Sequence, residues 1–73
     1  MKEKVIRIIA EITKLEEKKL LENLDTPKMW GSMNHIEIIL AVEEEYGVMF
    51  EQEELSEITT IAEILSALQR KVS

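Results

Sequence analysis

The stretch Trp30-Gly31-Ser32-Met33-Asn34-His35-Ile36-Glu37-Ile38-Ile39-Leu40-Ala41-Val42-Glu43-Glu44-Glu45-Tyr46-Gly47 decides how this chain folds. Its apolar residues recur at helical spacing, and no Gly or Pro interrupts it between Ser32 and Tyr46. The spacing predicts a helix from Ser32 or Met33 to about Tyr46, with Gly47 as its C-terminal stop. With Met33 at zero and about 100° per residue, Ile38, Ile39, Val42 and Tyr46 fall between about 140° and 240°. Met33, Ile36 and Leu40 fall between about 300° and 360°, with Glu37 and Glu44 beside them at about 40° and 20°. The wide first stripe is the core face. The short second stripe has two readings. In one the helix is central and packs on both sides, with the leucine-bearing stretch before it as the second partner. In the other, Met33, Ile36 and Leu40 form a docking face ringed by acids.

Working outward, Val5, Ile8, Ile9, Ile12 and Leu15 keep an i, i+3, i+4, i+7 rhythm, while Lys2, Lys4, Arg7 and Glu11 take the opposite face. This predicts a first helix from about Lys2 to about Leu15. From Glu16 to Gly31 the pattern is irregular and reads as a long loop pinned to the core by Leu20, Leu21 and Leu24. Asp25-Thr26-Pro27 reads as a cap or turn opening one short helical turn. On the C-terminal side, Val48-Met49-Phe50 is an apolar connector, and Glu51 to Ile58 holds a short third helix. The last helix begins after Thr60, where Thr60 and Glu63 fit a capping box. Its stripe is Ile61, Ile64, Leu65, Leu68 and Val72, with Arg70 and Lys71 near the C-terminus, where the helix dipole favours cations. The prediction is an all-α four-helix bundle.

Composition narrows the function. A chain of 73 residues is expected to be one domain spanning 1–73. It has no cysteine and one histidine, so neither a disulfide nor a structural zinc site is available, and packed aliphatics must hold the core. Fifteen acids against nine Lys and Arg give a net charge of −6. Such a surface repels nucleic acid and anionic lipid and attracts basic protein surfaces. No apolar run approaches the roughly 18 residues of a membrane span, and the N-terminus has no secretory pattern, so a cytoplasmic location is expected, with no membrane insertion. Glu51, Glu53, Glu54 and Glu57 lack the spacing and central glycine of a calcium loop and read as a solvated acidic surface.

Ser32 sits where loop becomes helix. Its plainest role is an N-cap. The same position suits a phosphate attached to its hydroxyl, because a helix start offers free N–H groups and the positive end of the dipole. A Ser32–His35 hydrolytic pair has little support, since no oxyanion hole, orienting acid or pocket is evident in so short a chain. His35 falls at about 200° on the wheel, on the core side. Trp30 reads as a plug of the bundle.

The quoted stretch resembles the prosthetic-group helix of acyl carrier proteins, in which Asp-Ser-Leu or Asp-Ser-Met precedes an apolar and acidic helix ending in acids and an aromatic. Here Glu43-Glu44-Glu45-Tyr46 is similar to that ending. Ile58-Thr59-Thr60-Ile61 resembles the family's Ile-Thr-Thr-Val before the last helix. The likeness covers about 40 residues from Trp30 onward; the first helix fits more loosely. It implies a non-catalytic carrier with three long helices and one short helix, acting as a monomer. It implies that a phosphopantetheinyl transferase attaches 4′-phosphopantetheine from coenzyme A to Ser32. Acyl or aminoacyl groups would ride the arm as thioesters for fatty-acid, polyketide or related biosynthesis. Implied partners are acyl- or aminoacyl-activating ligases, ketosynthases and acyltransferases with basic docking surfaces, meeting Met33, Ile36, Glu37, Leu40 and Glu44. Gly31 departs from the family's Asp and removes a charge that helps the transferase dock. An alternative follows from it: an unmodified interaction adaptor that has lost the prosthetic group.

Overall fold

The computed structural model describes residues 1–72, and every regular element among them is a helix. Three are long: α1 (Lys2–Thr13), α3 (Ser32–Tyr46) and α5 (Ile61–Val72); two are short: α2 (Glu17–Leu21) and α4 (Gln52–Leu55). The all-α bundle expected from the sequence is present, with α2 as an additional short helix.

The helices form because each long one carries an apolar stripe that the others cover. Val5, Ile6 and Ile9 of α1, Ile38 and Val42 of α3, and Ile61, Ile64 and Leu68 of α5 are almost wholly buried in one cluster. Each such aliphatic is worth roughly 1.5–3 kcal/mol relative to leaving it in water. α1 packs against both α3 and α2.

α1 stops at Thr13, two residues short of the expected Leu15. The Thr13 hydroxyl donates to the Ile9 carbonyl (2.8 Å) and accepts from the Leu15 N–H (3.2 Å). Lys14 turns left-handed at φ 66°, and its N–H reaches the Ala10 carbonyl. A side chain that competes for backbone groups thus ends the helix, followed by a left-handed cap.

The stretch from Glu16 to Gly31 departs most from expectation. Glu17–Leu21 is helical rather than loop. Leu20 is fully buried and Leu24 half-buried, but Leu21 is 46% exposed and pins nothing. Adjacent residues on a helix point about 100° apart, so only one of the two leucines faces the core. No helical turn follows Pro27, because Lys28 adopts φ 59° and breaks the run. The loop is tied instead by the Ala62 N–H, which donates to the Leu24 carbonyl at 2.9 Å.

The C-terminal half is held by two caps. The expected Thr60–Glu63 box forms: the Glu63 N–H donates to the Thr60 hydroxyl and the Thr60 N–H to the Glu63 carboxylate, both at 3.1 Å. A second box joins Glu51 and Glu54 at the start of α4. Hydrogen bonds from the N–H and hydroxyl of Thr59, then those of Thr60, hold the Glu63 carboxyl below the usual carboxylate range. Glu54 is lowered first by Lys71, whose ammonium lies 2.8 Å away and also sits 5.5 Å from the centre of the Phe50 ring. A carboxyl whose folded-state pKa is lowered adds stability that is present above the unfolded value and is lost as pH falls through the folded one. Both caps therefore weaken in acid.

Candidate functional site

α3 begins at Ser32, and its N-cap is Gly31 in an extended conformation (φ −74°, ψ 168°). Ser32 is therefore the first helical residue and not the cap expected of it. Gly31 has no side chain to cap the first turn, and the first helical bond runs from the His35 N–H to the Gly31 carbonyl. The Ser32 side chain is exposed. Its hydroxyl stands free of the capping role that usually occupies a serine there, beside the positive end of a 15-residue helix.

His35 and Trp30 form the wall next to it. The Trp30 Nε1–H donates to His35 Nδ1 at 3.1 Å, and the rings lie nearly parallel with centres 6.2 Å apart. Because the indole can only donate, His35 Nδ1 must be the unprotonated nitrogen, and the ring carries its proton on Nε2. Both residues are half-buried, and Trp30 packs on the core, as a plug of the bundle would. The histidine is committed to the tryptophan, and among the described residues no carboxylate orients it as a base for Ser32.

The second stripe of α3 is open to solvent. Met33 is 74% exposed, Ile36 60% and Leu40 60%, so packing on both sides of α3 is not realised. The core face behaves as the spacing requires, with Ile38 and Val42 fully buried and Tyr46 half-buried. The structure thus brings Ser32, Met33, Ile36, Glu37, Leu40 and Glu44 onto the solvent-facing side of one helix. An apolar groove of about 330 Å³ adjoins the stripe, lined by Ser32, Ile36, Ile39, Leu40 and Leu55 among others. Leu55 had no assigned role; its signal was a lone leucine, 39% exposed, in an acid-rich short helix.

The acid run at the end of α3 divides into different tasks. The Glu43 carboxylate accepts from the Phe50 N–H at 2.8 Å and fastens the connector to α4. Glu45 pairs with Lys4 of α1 at 3.1 Å. Glu44 and Glu37 are exposed and take part in neither of the ion pairs found among the described residues. Among those residues no group of His, Asp and Glu side chains is arranged to hold a metal ion. No helix among them is long and apolar enough to cross a membrane.

No family model matches the chain. It is similar to an acyl carrier protein of Thermosynechococcus vestitus, with 30% identity over 73 residues, covering 97% of this chain and 90% of that protein. The likeness therefore runs through α1 and the Glu16–Gly31 stretch as well as the α3 region that first suggested it. Taken with the all-helical architecture and the free serine at the start of α3, this places the chain in the acyl carrier protein family, whose members are carriers and not enzymes.

Proposed function

We propose that this protein carries acyl or aminoacyl groups on a 4′-phosphopantetheine arm attached to Ser32. The observation that carries the proposal is the state of that serine: exposed, uncommitted to a cap, at a helix start and beside an exposed apolar stripe. In the loading step the Ser32 oxygen bonds to the phosphorus bearing the pantetheine. The pyrophosphate P–O bond of coenzyme A breaks, and adenosine bisphosphate leaves. The hydroxyl proton passes to the transferase, because among the described residues no side chain is hydrogen-bonded to Ser32 as a base. A phosphodiester there would sit at the start of α3, whose free first-turn N–H groups and positive dipole end would favour the anion. Once attached, the arm supplies a thiol that holds cargo as a thioester, which explains how a chain without cysteine can do thiol chemistry. Intact mass after incubation with coenzyme A and a phosphopantetheinyl transferase tests this; failure to gain one arm with several transferases refutes it.

The partners of the loaded protein meet Met33, Ile36 and Leu40 inside the Glu37 and Glu44 rim. The apolar residues supply contact area, and the acids steer basic partner surfaces. Glu37→Lys with Glu44→Lys is expected to slow loading roughly tenfold, mostly through the association rate. Raising salt to about 0.5 M should slow the parent protein in the same direction, because surface attraction is screened beyond a few ångströms there. Rates indifferent to both changes remove these acids from the docking face. Carrier work of this kind suits a cytoplasmic monomer, and we assign the whole chain to one carrier domain.

Gly31 is the feature that favours the second reading, an unmodified adaptor. Its backbone does not require glycine: φ is negative, and a Cβ built there meets nothing within 4 Å. Gly31→Asp should therefore fit without strain and cap α3, raising stability by about 0.3–1 kcal/mol and the melting temperature by a few degrees. In the carrier reading both proteins take the arm, and Gly31→Asp takes it faster. If only Gly31→Asp is loaded, the natural chain is the adaptor.

A further inference from the structure

A second cleft that includes Ser32, of about 230 Å³, is lined by Lys28, Trp30, Ser32, His35 and Thr59. We infer that this cleft seats the phosphodiester of the arm, with the Lys28 ammonium as its charge partner. The inference rests on the assignment of Ser32 as the attachment point and adds a binding role for the loop before α3.

Four observations support it. The cleft includes Ser32 itself, so a phosphate bonded to that oxygen starts at its wall. Among the described residues no acidic side chain lines it, although acids outnumber Lys and Arg by fifteen to nine in the chain. Lys28 belongs to neither ion pair found among the described residues, so its charge is uncommitted within the fold. It is also held at φ 59°, a conformation that glycine or asparagine adopts more readily. His35 adds a hydrogen-bond donor to the lining, since Trp30 occupies Nδ1 and leaves the proton on Nε2. Thr59 contributes shape rather than a donor, because its hydroxyl already donates to Glu63 at 3.0 Å.

The consequence is a tether whose phosphate end is held while its thiol end swings. An unseated phosphodiester would add one more negative charge to a chain already at −6 and lower its stability. A seated one gains an ion pair and raises it.

The test compares the full chain with and without its arm, by thermal melting and by phosphorus NMR, in low salt. The loaded protein is expected to melt roughly 2–4 °C above the unloaded one, the scale of one favourable surface ion pair in a domain this size. In Lys28→Gly and Lys28→Glu that gain should vanish or reverse, and the phosphorus resonance should shift toward that of the same serine phosphodiester in urea-unfolded loaded protein. Lys28→Gly keeps the test readable, because glycine relieves the left-handed backbone and the unloaded variant should melt no lower than the parent. A parent that takes the arm yet melts at or below its unloaded form, with a phosphorus resonance unmoved by either substitution, overturns the seat and leaves the Ser32 assignment standing. A chain that takes no arm overturns both.

Discussion

Ser32→Ala is expected to lose loading completely while leaving the fold as stable as before. Loss follows from chemistry, since alanine has no oxygen to bond to phosphorus. Retained stability follows from where the structure puts the residue. Had Ser32 been the N-cap, its removal would cost about 0.5–2 kcal/mol. It is instead the first residue of α3, with Gly31 in the cap position and its own side chain in solvent. Alanine is the better helix former by up to roughly 0.7 kcal/mol, so the variant should melt at or slightly above the parent. Intact mass and a melting curve on the same sample check both halves. A variant that still gains the arm places the attachment elsewhere; a variant that unfolds shows that the serine holds up the helix start after all.

Ile38→Ala should be the most damaging single change on α3, and Leu40→Ala, two residues away, nearly harmless to stability. Ile38 has no exposed surface, whereas Leu40 is 60% exposed. Truncating the first removes buried methyl groups and leaves a cavity in a close-packed interior, at about 2–5 kcal/mol. In a 73-residue chain with few other resources, that consumes most or all of the folding stability. Truncating the second should change stability by no more than about 0.5 kcal/mol, as at other exposed sites, and show instead as slower loading or transfer. Urea titration of both variants, followed by circular dichroism, separates them. Equal destabilisation would mean that the Met33, Ile36 and Leu40 stripe is covered in solution, by a second copy or another element, and is not free for partners.

These contrasts show what was legible in the residues. The helical spacing of α1, α3 and α5 stands in the pattern of Val, Ile and Leu, because a helix in a bundle must turn one stripe inward. The Thr60–Glu63 box was legible because both partners lie within one turn. The Glu51–Glu54 box is just as local, and its signal was hidden in a run of acids whose members look alike. Leu21 was misjudged because apolar content alone does not say which residue of a short helix turns inward. The separate tasks of Glu43 and Glu45 depend on partners in the α3–α4 connector and in α1, distant along the chain or on another element.

By itself, the order of residues determined an acidic, all-helical chain and a serine at the junction of loop and helix, because periodicity, charge and capping are short-range properties. Only the tertiary structure decided that Met33, Ile36 and Leu40 stand free, that Gly31 and not Ser32 caps α3, and that Lys28, Trp30 and His35 share one cleft with the serine. Those outcomes depend on which surfaces the other helices cover and on the left-handed turn at Lys28, and burial is a property of the assembled chain rather than of any segment in it.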